Sequence, residues 1–183
     1  MAKPLNTIYS GKNVVIMGLG KSTLALARLL HSRGAIVKVS EINPKDNVAD
    51  ASRELASLKP GIEAEYGKHT TEWFLGADII VVAPGVRMDA KPLDEARAKG
   101  IEIVSDVELL AREISVPIVA FAGSSGKTTA AFLARAFLEA ARKTVFYSGD
   151  HGEPLANFFL KGAKVDRSEG TRLNSSHGYI SYA

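Results

Sequence analysis

The stretch "NVVIMGLGKSTLALARLLHSRG" (13–34) places an apolar run, a glycine turn and a helical pattern in direct succession. The β-branched run predicts a strand, and residues 22–34 predict a helix that closes on Gly34, a residue suited to the left-handed cap position. A glycine turn between a strand and a helix is a context in which backbone amides bind phosphate. The stretch therefore predicts an α/β fold with an anion site at its first turn.

Similar apolar runs recur along the chain with helical stretches between them, and this alternation predicts a parallel sheet with helices on its faces. Because the runs are continuously apolar, we expect strands that are covered on both sides. The predicted strands are 13–18, 35–40, 78–83, 101–105, 117–122 and 143–148. Further helices are predicted at 92–100 and after residue 126, the latter with a buried stripe of Thr129, Phe132, Leu133, Ala136, Phe137 and Ala140.

Length, charge and cysteine content narrow the class of protein. The 183 residues fit one large domain or two small ones, and a net charge of +3 from scattered basic residues does not indicate a nucleic-acid partner. The absence of cysteine excludes disulfides and thiolate metal sites. No signal-like start is present, and no apolar run approaches the roughly 20 residues of a membrane span, so we expect a cytoplasmic protein.

The first glycine turn, "GLGKST" (18–23), resembles a dinucleotide fingerprint but departs from it. Gly18 permits the tight turn, and Gly20 lets the backbone approach a diphosphate. Thr23 stands at the third fingerprint position, where we expect a β-branched residue to push helix and strand apart. Glu41 follows the second strand, where a ribose or base contact is expected. A plain tight turn with a surface glutamate and an NAD-dependent dehydrogenase are the alternative interpretations.

The second glycine turn, "GSSGKTT" (123–129), is a shortened phosphate loop. A full Walker A loop would have glycine where Phe121 stands. Gly123 and Gly126 nevertheless expose backbone N–H groups, Lys127 can meet the β- and γ-phosphates, and the Thr128 hydroxyl can bind Mg²⁺. This pattern favours a triphosphate site over a serine-rich turn with a solvated lysine.

Four segments in this order resemble the Mur ligases of peptidoglycan synthesis: "GKNVVIMGLGKS", "APGV" (83–86), "GIEIVSDVELLAR" and "PIVAFAGSSGKTT". The resemblance covers about residues 11–160. It implies a Rossmann-like domain for the UDP-substrate at 1–113, followed at 114–165 by the truncated start of a P-loop ATP-binding α/β domain. Residues 166–183 are polar and aperiodic, and we expect a disordered or non-native tail.

The resemblance also implies site residues, carried over by position. UDP-substrate contacts are expected from Gly18, Gly20, Lys21, Ser22, Glu41, Ile42, Asn43, Ala83, Pro84, Gly85 and Asp150. ATP contacts are expected from Gly123, Ser124, Ser125, Gly126, Lys127, Thr128 and Thr129. Lys127 and Thr128 would be catalytic, Lys127 by neutralising the transferring phosphoryl group and Thr128 by holding Mg²⁺.

The implied reaction uses ATP and Mg²⁺ to join D-glutamate to UDP-N-acetylmuramoyl-L-alanine through an acyl phosphate, in an enzyme expected to be monomeric. Asp150 stands where the family has an asparagine, and like charges about 4 Å apart repel by roughly 4 kcal/mol at an effective dielectric near 20. We expect the chain to be the front portion of such a ligase and inactive alone. Another Mur or folylpolyglutamate-type ligase and a non-enzymatic nucleotide-binding or NAD-dependent module remain alternatives.

Overall fold

A computed structural model describes residues 8–149 and 152–161. The chain divides into two compact units, one ending at Leu109 and the other beginning at Leu110. This division falls a few residues before the boundary predicted near residue 113, and the predicted domain ranges stay predictions. The predicted tail at 166–183 and Asp150 lie outside the described residues.

The first unit contains a five-stranded sheet in which every neighbouring pair is parallel and the strand order is β3-β2-β1-β4-β5. The strands are β1 (Asn13–Met17), β2 (Ile36–Glu41), β3 (Glu63–Tyr66), β4 (Ile79–Val82) and β5 (Glu102–Ser105). The first four predicted strands and the α/β class are thereby confirmed. Strand β3 was not predicted, because its sequence "EAEY" is not an apolar run and it lies at the edge of the sheet.

Helices connect consecutive strands, as parallel neighbours require. They are α1 (Lys21–Ser32), a 3₁₀ helix (Lys45–Val48), α2 (Ala49–Ser57), α3 (Thr71–Leu75) and α4 (Lys91–Ala98). A further helix, α5 (Asp106–Ala111), follows β5. The predictions of helices at 22–34 and 92–100 are confirmed within two residues at their starts and ends. Gly34 and Gly100, at φ 79° and 73°, occupy the left-handed positions after α1 and α4.

The core lies on both faces of the central strand. Val14, Val15, Ile16 and Met17 are all at most 1% exposed, although successive strand residues point to opposite faces. On one face, Val15 and Met17 pack with Phe74, Ile80, Val82, Leu93 and Ala96. Burial on both sides explains the continuous apolar run from which β1 was predicted.

The second unit differs from the prediction in its strands. Its described helices are α6 (Lys127–Ala140) and α7 (Asn157–Leu160). Residues 117–122 and 143–148 form no strand in the described parts of the chain, where Ile118 and Ser148 have isolated bridges only, that of Ser148 being with Glu153. An apolar run becomes a strand only with a hydrogen-bonded partner, so the prediction of two strands here was wrong for the described structure.

The prediction of a buried stripe on α6 was also wrong. Phe132, Leu133 and Phe137 are 63%, 49% and 72% exposed. The buried residue is Ala131, around which Phe121, Leu138, Val145 and Tyr147 pack. Because α6 carries apolar residues on more than one face, periodicity identified the helix but not the face that it buries.

No helix in the described ranges is long and apolar enough to cross a bilayer.

Candidate anion-binding sites at two glycine turns

The sheet order places two of the predicted loops side by side. The chain continues from β1 to β2 on one side and returns to β4 on the other, so the order reverses between β1 and β4. Ligands of open α/β sheets bind at this reversal, outside the carboxyl ends of the strands. The β1–α1 turn and the loop after β4 meet there so closely that a Cβ atom on Gly18 would lie 2.8 Å from the Ala83 Cβ.

Gly18 and Gly20 of the first turn are explained by different physical requirements. Gly18 has φ 95° and no room for a side chain beside Ala83 and Val86. Gly20 has an extended backbone, with φ −117° and ψ −178°, and an added Cβ would meet nothing within 4 Å. Neither conformation nor internal packing therefore requires glycine at position 20. The open space in front of its backbone is the space that an approaching ligand needs.

Thr23 closes the turn from within. Its side chain is buried, and its Oγ1 donates to the Gly18 carbonyl oxygen at 3.0 Å and accepts the Gly20 N–H at 3.0 Å. Thr23 was expected to push helix and strand apart, whereas its hydroxyl ties the end of β1 to the start of α1. The first-turn amides of α1, which have no carbonyl four residues earlier within the helix, are the donors suited to an anion.

Glu41 is buried and connects the loop after β1 to the loop after β2 by hydrogen bonds. The side chain is 4% exposed, and its Oε2 accepts the Leu19 N–H at 2.6 Å. Its Oε1 accepts both the backbone N–H and the side-chain Nδ2 of Asn43, each at 2.7 Å. Both carboxylate oxygens thus bond to the protein, which supports a positioning role for Glu41. Ile42, by contrast, is exposed on the loop.

Ser22 bonds to a residue that the sequence analysis did not single out. Its Oγ donates to Oδ2 of Asp106, which is 1% exposed at the start of α5, while Oδ1 accepts the Val107 N–H at 2.9 Å. Burial raises the pKa of Asp106, against smaller lowering effects of the Ser22 and backbone hydrogen bonds. The available signal was a carboxylate directly after a predicted strand, at the edge of the sheet where the ligand loops gather.

A third buried acid, Glu65, lies on the edge strand β3, beside the strand that ends at Glu41. Glu65 of β3 accepts hydrogen bonds from the Ser40 hydroxyl at 2.6 Å and the Thr70 N–H at 2.8 Å. The Ser40 Oγ also lies 2.7 Å from Nδ1 of His69. Burial would raise the pKa of Glu65, but the hydrogen bonds from Ser40 and Thr70 outweigh it and hold that pKa below its ordinary value.

The second turn presents an exposed loop before α6. Gly123 and Gly126 have φ 152° and 78°, and Gly126 is the N-cap residue of the helix. The Lys127 ammonium donates to the Gly123 carbonyl oxygen across the loop. Gly123, Ser124, Ser125, Gly126, Thr128 and Thr129 are all exposed. The loop thus combines a glycine-rich backbone, a lysine and the start of a 14-residue helix, as an anion site requires.

The assignment of Thr128 as a Mg²⁺ ligand stays a prediction. The Thr128 hydroxyl is exposed at the first turn of α6. Within residues 8–149 and 152–161, no group of three His, Asp or Glu side chains could hold a metal ion. Mg²⁺ commonly keeps several waters and binds substrate phosphates with one or two protein ligands. Thr128 fits as one such ligand beside a nucleotide.

Sequence comparison identifies the family from the first unit. The family described as "Mur ligase MurD-like, N-terminal domain" matches residues 12–105, just over half of the chain. The chain belongs to the Mur ligase family. The matched residues include β1 to β5 and both ligand loops of the first unit, so the Mur ligase resemblance expected from the sequence is confirmed.

Two curated Mur ligases are about two fifths identical to this chain over the aligned residues. It is 38% identical over 156 residues to the UDP-N-acetylmuramoylalanine–D-glutamate ligase of Geotalea uraniireducens, covering 85% of this chain and 34% of that protein. The enzyme of the same name from Desulfosudis oleivorans is 40% identical over 164 residues, covering 90% and 35%. The chain spans about a third of the length of these curated relatives.

A solved Mur ligase is similar at lower identity. It is the UDP-N-acetylmuramate–alanine ligase of Thermotoga maritima, which is 26% identical, with 78% of this chain and 34% of that chain covered and a TM-score of 0.46.

Proposed function

We propose that the first unit binds UDP-N-acetylmuramoyl-L-alanine and that the second turn is the ATP loop of a ligase that adds D-glutamate to it. The observation that carries the proposal is the open first turn: Gly20 has free space before its backbone, at the point where the strand order reverses. The names of the most similar relatives supply the substrates. A diphosphate at this turn would meet the amides that begin α1 and the exposed Lys21.

The chemistry proposed for the whole ligase has two balanced steps. An oxygen of the alanyl carboxylate attacks the γ-phosphorus of ATP, which forms an acyl phosphate and releases ADP. The amine of D-glutamate then attacks the acyl carbon, loses a proton and expels inorganic phosphate. Catalysis of phosphoryl transfer is largely positioning and charge stabilisation.

The residues of the second turn suit the first of these steps. Lys127 already reaches back across the loop to the Gly123 carbonyl, so a bound phosphate would replace that carbonyl as the partner of its ammonium. Thr128 would contribute its hydroxyl to Mg²⁺, which neutralises phosphate charge when bound. The expectations that the chain alone is inactive, that the full enzyme is monomeric and that it is cytoplasmic stay predictions.

A binding experiment tests the proposal. The purified chain is titrated by calorimetry with UDP-N-acetylmuramoyl-L-alanine and, separately, with NAD⁺. We expect saturable binding of the UDP-sugar and its loss in Gly20→Val, because a side chain at this open, extended position would occupy ligand space and its Cβ meets nothing within 4 Å. Binding of NAD⁺ without binding of the UDP-sugar would favour the dehydrogenase-like alternative and overturn the proposal.

A further inference from the structure

Ser22 and Asp106 share one hydroxyl hydrogen at the edge of the proposed diphosphate site. Ser22 lies in the first turn of α1, beside the amides that would meet the ligand, and its Oγ donates to Oδ2 of Asp106. A serine hydroxyl has a single hydrogen and two acceptor lone pairs, and an ionised carboxylate can only accept. While Asp106 is ionised, Ser22 therefore offers an incoming anion its lone pairs and no donor.

Protonation of Asp106 would reverse this hydrogen bond. The Asp106 O–H would donate to the Ser22 Oγ, and the Ser22 hydrogen would be free to donate to a phosphate oxygen. The other carboxyl oxygen would continue to accept the Val107 N–H. The same proton would remove a buried negative charge from behind the anion site. Both effects favour anion binding by the protonated form.

The surroundings of Asp106 favour this exchange. Its side chain is almost fully buried, and the partners of its carboxylate are the Ser22 hydroxyl and backbone N–H groups. Burial accordingly raises its pKa. Among the charged residues on neighbouring elements, Lys21 and Glu108 are exposed. Glu41 is hydrogen-bonded to Leu19 and Asn43, and Arg87 is hydrogen-bonded to Asp89.

We propose that Asp106 is a positioning residue that takes up one proton when the diphosphate binds and thereby turns the Ser22 hydroxyl toward the ligand. The inference rests on the proposed function, because it assumes an anion at this turn. It concerns the same site but adds a residue and a proton that the binding proposal does not need. The diphosphate of a UDP-sugar is a diester that stays ionised through the neutral range, so the exchanged proton belongs to the protein.

Calorimetry of the unmodified chain counts this proton directly. UDP-N-acetylmuramoyl-L-alanine is titrated between about pH 5 and pH 8 in buffers of different ionisation enthalpy, from which the protons taken up per ligand follow. Between the pKa of Asp106 in the free chain and its higher pKa in the complex, we expect uptake approaching one proton and an affinity that falls by up to about tenfold per pH unit. Binding with no proton uptake and no pH dependence would overturn the inference while leaving the proposed function intact. Absence of binding at every pH would overturn both.

Variants assign the proton to Asp106. In Asp106→Asn the amide donates permanently to the Ser22 Oγ, so we expect pH-independent binding that exceeds wild-type affinity at the upper end of the range. Ser22→Ala should bind more weakly and lose part of the pH dependence. Glu54→Gln is the matched control, because Glu54 is a partly exposed acid paired with Arg28, and it should keep the wild-type slope. A wild-type slope in folded Asp106→Asn, with folding checked by circular dichroism, would refute the assignment.

Discussion

Gly18→Ala should destabilise the first unit by roughly 2–5 kcal/mol. The backbone at Gly18 has φ 95°, and an L side chain in the positive-φ region costs about 1–2 kcal/mol. The new Cβ would also lie 2.8 Å from the Ala83 Cβ and 3.0 Å from the Val86 Cγ2. Overpacking of this kind adds about 1–3 kcal/mol, because the loop after β4 must move aside.

The single tryptophan provides the assay. Trp73 is packed against the core cluster of the first unit, with the Lys38 Nζ 4.7 Å from its ring centroid, so its fluorescence reports the unfolding of that unit. With a urea m-value of about 1–3 kcal/mol/M, a loss of about 3 kcal/mol lowers the unfolding midpoint by about 1–3 M. Such a shift is a large fraction of the roughly 5–15 kcal/mol that stabilises a typical domain.

Alanine substitutions at two further glycines distinguish the cost of backbone strain from the cost of a steric clash. Gly100 has φ 73° but nothing within 4 Å of an added Cβ, so Gly100→Ala should lose only the strain of about 1–2 kcal/mol. Gly20 has neither feature, but it is the N-cap of α1, where glycine is preferred over alanine, so Gly20→Ala should change stability by less than about 1 kcal/mol. Equal losses for Gly18→Ala and Gly100→Ala would refute the claim that the two loops are in contact at Gly18.

Three other measurements test the remaining parts of the structure. Lys127→Ala should weaken ATP binding about 10- to 150-fold, the equivalent of a charged hydrogen bond of 1.5–3 kcal/mol, while Lys143→Ala, an exposed control, should not; unchanged ATP affinity would contradict the loop assignment. Glu65→Gln should lower the free energy of unfolding by about 1–3 kcal/mol near pH 7. Because the pKa of Glu65 is lowered by folding, its stabilisation is present above the unfolded pKa, and the difference should shrink as acid protonates the wild type; a constant difference in urea titrations would count against the network. Amide hydrogen exchange should be slower in 11–105 than in 117–149, since the former contains the strand ladders, and equal protection would disagree with the described fold.

The amino-acid sequence predicted most of the sheet because its central strands are buried on both faces. The run at 13–18 is apolar without interruption, and the structure buries every residue of Val14–Met17. The strand Glu63–Tyr66 was not predicted because it is polar and lies at the sheet edge. Its buried Glu65 is held by hydrogen bonds rather than by apolar packing. A pattern of hydrophobic residues carries no information about such a strand.

The candidate site was predictable in its backbone but not in its side-chain partners. The glycines and the helix start follow from local turn geometry, which sequence spacing reports well. The bond between Ser22 and Asp106 joins residues 84 apart, and the bond between Leu19 and Glu41 joins residues 22 apart. Such pairings depend on the strand order, which the sequence did not give residue by residue. The exposed face of α6 could not be predicted for a related reason, since the burial of a helix face depends on which other element packs against it.

Two buried acids behind a site for an anion call for a physical explanation, because a buried carboxylate would weaken the binding of phosphate. The charge of Glu41 is compensated within the protein, because its carboxylate accepts hydrogen bonds from the Leu19 N–H and from both donors of Asn43. The same bonds connect the loop after β1 to the loop after β2. Asp106 also accepts backbone N–H groups, but its Oδ2 accepts the single hydrogen of Ser22, a side chain at the edge of the proposed ligand site. Of the two, Asp106 is therefore the acid whose charge the ligand would disturb, and whose protonation should follow binding.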